Sequence, residues 1–208
     1  MRAPRSKVNT VAYGAWVTGD HMTQRSATES RLDRDAWLER SLEVLRDEGI
    51  VGVRVERLAR DLGVTKGSFY WHFDGREDLF ASLLEFWAQQ YNDVVVNEPS
   101  FMNDDPATAL LDVMIMVRAQ GLDRYELAMR SWADHDERAR TAVREVYRKR
   151  RSFIRSFFKR LGFDTSDAEI RTRLLLCCLS WEPNMYLDES KSRRLDVLKQ
   201  QHQLLVQK

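Results

Sequence analysis

The chain has 208 residues, 43% of them hydrophobic and 31% charged, a balance that can build a core and excludes a disordered polymer. Only 9 glycines and 4 prolines argue against a turn-rich β architecture and for helices. Lys and Arg (33) nearly cancel Asp and Glu (32), so the net charge of +1 does not by itself announce a nucleic-acid partner. The two cysteines, Cys177 and Cys178, are adjacent and exclude a disulfide framework or zinc cluster within one chain. Leu174 to Leu179, the longest apolar run, is too short to cross a bilayer. These features predict a mostly helical, soluble, cytoplasmic protein with no membrane partner.

Residues 1–30 are set apart as a flexible arm or upstream extension. Arg2, Arg5 and Lys7 precede an apolar stretch, Val8 to Val17, that faintly resembles a secretory signal, but Asn9, Thr10 and Gly14 interrupt it. Met22 offers an alternative start.

Organised sequence begins near Asp33. Leu38, Leu42 and Leu45 recur at helical spacing, with Asp33 and Asp35 at the positive end of the helix dipole and Gly49 as the stop. A second helix follows from Val55 to Gly63, with Leu58, Ala59 and Leu62 on one face, and Thr65 is placed to cap a short third helix from Lys66 to about His72. Helix, glycine-containing turn, helix is the helix-turn-helix pattern. Asp74 and Glu77 resemble a capping box for a long fourth helix carrying Phe80, Leu83, Leu84, Trp87, Tyr91 and Val94. Residues 97–104 read as a loop, and Asp105-Pro106 as the cap and first-turn proline of a helix that Gly121 ends. Further helices are expected over Tyr125–Trp132, about 136–161, and 166–182. The last of these opens with a Ser166/Glu169 capping box and is interrupted by Pro183. A final amphipathic segment contains Leu195, Leu198 and Leu204 or Val206.

Charge is unevenly spread. Residues 32–98 hold eight basic and fourteen acidic residues, net −6, which is awkward for a DNA reader. Many of the acids lie on the first helix, however, and Lys66 to Gly75 contains only Asp74.

The segment Val55 to Phe80, VERLARDLGVTKGSFYWHFDGREDLF, resembles the tetracycline-repressor-like (TetR) family of bacterial transcription regulators. The resemblance rests on Leu58-Ala59, Leu62-Gly63-Val64, Thr65-Lys66-Gly67-Ser68, Phe69-Tyr70, His72-Phe73 and Glu77-Asp78-Leu79-Phe80, in order and spacing. It implies an all-α fold: a helix-turn-helix DNA-binding domain over 31–78, joined by a long helix to a regulatory and dimerisation domain over 79–208. It also implies a homodimer, double-stranded DNA with a palindromic operator as partner, and repression relieved by a small-molecule inducer, with no cofactor. Arg54, Thr65, Lys66, Gly67, Ser68, Tyr70, Trp71, His72 and Arg76 are the DNA-contact candidates.

Chemistry supports that set. Gly67 and Ser68 are small where backbone must approach phosphate, Lys66, Tyr70 and His72 supply donors, and Arg76 sits on a helix N-terminus. Phe69 and Phe73, four apart, point inward. Arg54 stands where Thr often caps the second helix in the family; it cannot cap but can reach phosphate. Trp71 is expected to pack under the next helix rather than face the groove. Arg25 and Arg31 suit a minor-groove arm.

Beyond residue 98, the resemblance implies an inducer pocket. Trp87, Tyr91, Met114, Arg118, Tyr125, Met129, Trp132 and Trp181 are the candidates, a stock of aromatic and thioether groups with few charges, although core packing alone explains such residues too. Arg118 or Arg130, each within an apolar helix, calls for an acid partner or an anionic ligand. The family's intersubunit four-helix bundle falls here on 136–161 and 166–182. The run Arg148-Lys149-Arg150-Arg151 spreads around a helix and reads as a solvated or ion-paired face. An enzyme is the rival class, but the chain has no P-loop, dinucleotide fingerprint or HExxH. Asp134-His135-Asp136 reads as turn chemistry and Cys177-Cys178 as small core residues. A helical protein–protein adaptor is the third reading.

Overall fold

Asp33 accepts a hydrogen bond from the Ala36 amide at 2.9 Å and so opens α1, Arg34–Glu48. The computed structural model describes residues 33–103, 105–186 and 188–208; the N-terminal arm, with Met22, Arg25 and Arg31, lies outside the described residues. These described residues form helices and no strand. α1 buries Trp37, Leu38, Leu42 and Leu45, as its apolar spacing requires.

α2 (Val55–Asp61) and α3 (Lys66–Phe69) are joined by a turn that needs Gly63, whose φ of 69° is left-handed. The Val64 amide then donates back to the Ala59 carbonyl at 2.9 Å, closing the end of α2. α3 stops at Phe69, three residues earlier than expected, and the chain continues to His72 as turns. Phe69 and Phe73 are buried and stacked at 5.1 Å, and Phe69 meets Trp37 edge-on at 5.5 Å.

α4 is α-helical over Arg76–Ala88, π-helical over Gln89–Asp93 and α-helical again over Val94–Val96. Gly75 occupies its N-cap without a side-chain bond, so the expected Asp74/Glu77 box does not form. Asp78 accepts from the Asp74 amide instead, and Glu77 reaches Arg138 at 2.7 Å. A short helix, α5 (Ser100–Asn103), occupies the expected loop. α6 (Pro106–Ala119) starts as predicted, with Asp105 accepting from Thr108 and proline in the first turn. α7 (Glu126–Ala133) and α8 (Glu137–Arg160) follow.

α9 spans Thr165–Met185 and is capped by Asp164, which accepts from the Asp167 amide; it is not opened by a Ser166/Glu169 box. Glu169 turns instead to Arg173, at 3.0 Å, and to Arg155. The helix also runs past Pro183, which does not end it as expected. α10 (Lys191–Val206) buries Leu198, His202 and Leu205, while Leu204 is exposed.

α8 is the axis of the body: it packs against α4, α6, α7 and α9, while α1 packs on α4 and α7 and α10 on α6. Its basic run is mostly ion-paired, as expected. Arg148 meets Glu145, Lys149 meets Asp93 at 3.1 Å, and Arg150 turns inward. There Arg150 donates to Glu126 at 2.7 Å, to Asn92 at 3.1 Å and to the Tyr91 carbonyl. Glu126 is only 2% exposed and also accepts from the Tyr147 hydroxyl. The π-helical stretch of α4 supplies part of this network: Asn92 and the Tyr91 carbonyl meet Arg150 of α8, while the Tyr91 ring packs on Tyr125 and its hydroxyl accepts from Arg124.

Removing one partner of a buried pair leaves the other charge uncompensated. Glu126→Ala is therefore expected to cost about 3–5 kcal/mol in urea unfolding, and the Glu126→Ala/Arg150→Met double variant less than the sum of the two single changes. A loss below about 1 kcal/mol for Glu126→Ala would contradict this account of the core.

Candidate nucleic-acid interface

A four-residue helix is not stable alone, so its orientation is set by what it buries. α3 buries Phe69, and the turn after it buries Phe73. With those two rings inward, the residues between and beside them turn out: Tyr70 is 57% exposed and Trp71 70%. The expectation that Trp71 packs beneath α4 is thus corrected. Phe69 and Phe73 already fill the space behind α3, and the exposed indole joins Tyr70 on the outer surface.

The other predicted contacts gather on the same stretch of chain. Thr65, Lys66 and Gly67 are exposed and Ser68 and His72 half-buried. Thr65 has the extended backbone of an N-cap, but its side chain makes no capping bond. A Cβ on Gly67 would meet only Thr65 Oγ1, at 3.7 Å, so internal packing does not demand glycine there; its smallness is available to an external surface. Arg76 is exposed at the N-terminus of α4, its guanidinium 4.7 Å over the Phe80 ring. Arg54 is exposed at the start of α2, donating to the Val51 carbonyl at 3.1 Å.

Glu56, absent from the sequence-derived set, is paired with Lys66 across the helix-turn-helix. That hydrogen bond holds the Glu56 carboxyl below its ordinary range and the Lys66 ammonium above its own. The ten-residue separation has no local signature, so only the folded turn reveals the pair. Several of the acids in this region are ion-paired, although the net charge of −6 stays. Asp61 is shared by Arg40 at 2.6 Å and Arg57 at 2.7 Å, Arg57 also reaches Glu48, and Arg46 holds Asp47.

The inducer candidates do not converge on one site. Trp87, Met114, Tyr125, Met129 and Trp132 are buried in the core and line neither cavity described below. Trp132 packs edge-on against Phe80, and the Trp87 indole N–H is buried without a hydrogen-bond partner. Tyr91 borders an internal cavity of about 50 Å³, with Asn92, Asp123, Glu126, Arg150 and a largely aliphatic wall. Arg118 has its acid partners, Asp123 at 2.6 Å and Glu182 at 3.6 Å, and also donates to the Cys178 carbonyl. Trp181 and Arg130 lie together on an outer groove. Among the described residues there is no cluster suited to a metal ion and no helix long and apolar enough to cross a membrane.

The fold and site define an all-α protein presenting a helix-turn-helix. Residues 38–83 match the family described as bacterial regulatory proteins, tetR family. The chain is 25% identical over 96 residues to HTH-type transcriptional regulator AcrR of Shigella flexneri, covering 46% of this chain and 45% of that protein. It is 39% identical over 56 residues to tetracycline repressor protein class C of Escherichia coli, covering 27% and 26%. The chain thus spans less than half the length of these relatives. The TetR family transcriptional regulator PfmR from Thermus thermophilus has the same fold, with a TM-score of 0.64 at 20% identity over 82% of this chain and 96% of that one. The tetR-family match thus falls on the helix-turn-helix of this chain.

The two aromatic neighbours of α3 should behave oppositely. Phe69→Ala is expected to cost about 3–5 kcal/mol in chemical denaturation. Trp71→Phe should stay within about 0.5 kcal/mol of the parent while lowering, beside the exposed Trp181, the share of tryptophan emission accessible to acrylamide. Equal costs for the two would contradict the outward placement of Trp71.

Proposed function

We propose that this chain is a homodimeric, sequence-specific DNA-binding transcription regulator, a repressor released from a palindromic operator by a small molecule. The observation that carries the reading is the outward array Thr65, Lys66, Tyr70, Trp71 and Arg76 around a helix pinned from behind by Phe69 and Phe73. Lys66, Arg76 and Arg54 supply phosphate contacts, and Ser68, Tyr70, Trp71 and His72 offer donors and apolar surface to the groove. Residues 31–78 act as the DNA-binding domain and 79–208 as the regulatory one.

A dimer supplies the second recognition helix. Ile170, Leu174, Cys177, Trp181 and Met185 are exposed at helical spacing along one side of α9, and such an apolar stripe suits a two-fold seam with α8. Regulation follows from α4, whose N-terminus carries Arg76 and whose π-helical stretch borders the internal cavity. About 50 Å³ holds a few water molecules, against roughly 300–1,000 Å³ for a drug-sized ligand, so an inducer that enters must favour a more open core. Such a ligand shifts the population toward a state with α4 displaced, and the two recognition helices lose their spacing.

Salt dependence of binding to a fluorescent duplex tests the DNA reading. Lys66→Ala is expected to reduce the slope of log K against log salt by about one. Glu56→Gln, which releases Lys66 and removes a negative charge, should tighten binding by about two- to fivefold. Unchanged affinity and slope in both variants would remove α3 from the interface.

A further inference from the structure

We propose that the groove bounded by α7, α8 and α9 is a binding site for a small aromatic carboxylate. Its open volume is about 760 Å³, the size of a ligand pocket, in contrast to the nearly closed internal cavity. Five of the side chains lining it are arginines, Arg130, Arg140, Arg144, Arg148 and Arg151, against one carboxylate, Asp134. Four of them recur at i, i+4, i+8 and i+11 on α8, so the helix lays a cationic stripe along the groove.

The arginines differ in what they already hold. Arg148 is neutralised by Glu145, and Arg140 by Glu137 together with the carbonyls of Ala133 and Asp134. Arg130, Arg144 and Arg151 form no ion pair with a carboxylate among the described residues. Glu126 and Asp134 act on Arg130, and Glu169 on Arg151, only from beyond ion-pair distance, so the excess of arginine over carboxylate in the groove wall favours an anion, and the planar forks match a carboxylate.

The aromatic part of the ligand class comes from Trp181 and Tyr147. Trp181 is 41% exposed, and the Arg130 guanidinium lies 5.2 Å over its ring and 5.5 Å over that of Tyr147, to whose hydroxyl it donates at 3.3 Å. A flat ring can stack on the accessible indole while its carboxylate is taken by Arg144 or Arg151. Of the two arginines singled out by their apolar helices, Arg118 thus has its acids within ion-pair distance, whereas Arg130 feels Glu126 and Asp134 only from farther away. Trp181 also belongs to the exposed α9 stripe, so a partner seated there in the proposed dimer would share this side of the groove. The inference goes beyond the regulator reading and does not rest on it, because duplex binding is not part of its readout.

Calorimetric titration of the full chain with 2-naphthoate, and with neutral 2-naphthylmethanol, tests the site. The expected result is saturable binding of one naphthoate per chain, with the alcohol at least about tenfold weaker. The Arg144→Gln/Arg151→Gln variant should lose about tenfold or more in affinity with its unfolding temperature unchanged. Lys191→Gln, on α10, should bind as the parent does. Three results would each overturn the proposal: no saturable binding, including because a second copy covers the groove; equal affinity for the alcohol; or full affinity in the double arginine variant, which would move the ligand elsewhere.

Discussion

A helix of four residues has too few internal hydrogen bonds to persist in water, so everything α3 does depends on the two rings behind it. Phe69 and Phe73 stack on each other, and Phe69 closes edge-on against Trp37 of α1. That clamp converts sequence order into direction. With positions 69 and 73 committed inward, Tyr70 and Trp71 have only the outer surface left. The same clamp brings Lys66 beside Glu56, so the helix-turn-helix carries its own competitor for a cation proposed to meet phosphate.

The remainder of the molecule is organised around α8. Its buried arginine, Arg150, ties Glu126 of α7 to the π-helical stretch of α4. α4 therefore has one end among the proposed DNA contacts and the other in a charge-paired core next to a small cavity. Glu77 at the start of α4 adds a second tie, to Arg138 at the start of α8. Ties at both ends make α4 the natural carrier of any change in the core, because moving α8 relative to α4 must break or stretch one of them.

Helix positions were legible in the sequence wherever apolar periodicity and caps agreed, as for α1, α6 and α8. Misreadings arose where two local signals competed. Ser166/Glu169 looks like a capping box, but Asp164 lies two residues earlier and takes the cap. Pro183 reads as a stop, yet α9 continues through it to Met185. Trp71 shows the limit of residue-type reasoning: tryptophan is usually buried, and only the prior claim of Phe69 and Phe73 on the interior turns it outward. The π-helical stretch has no sequence signature, and in it the adjacent Tyr91 and Asn92 are both buried. Nor could the inducer-pocket candidates be sorted into cavity-lining and core-filling residues without the fold.

The measurement that bears most directly on the central reading is selection from random duplex DNA with the purified chain, run in parallel with Tyr70→Ala. A palindrome enriched by the parent and lost by the variant is the predicted outcome, and it would establish both the recognition surface and the two-fold dimer at once. No enrichment at low salt, from protein refolded free of bound ligand, would contradict the reading of α3 as a DNA reader.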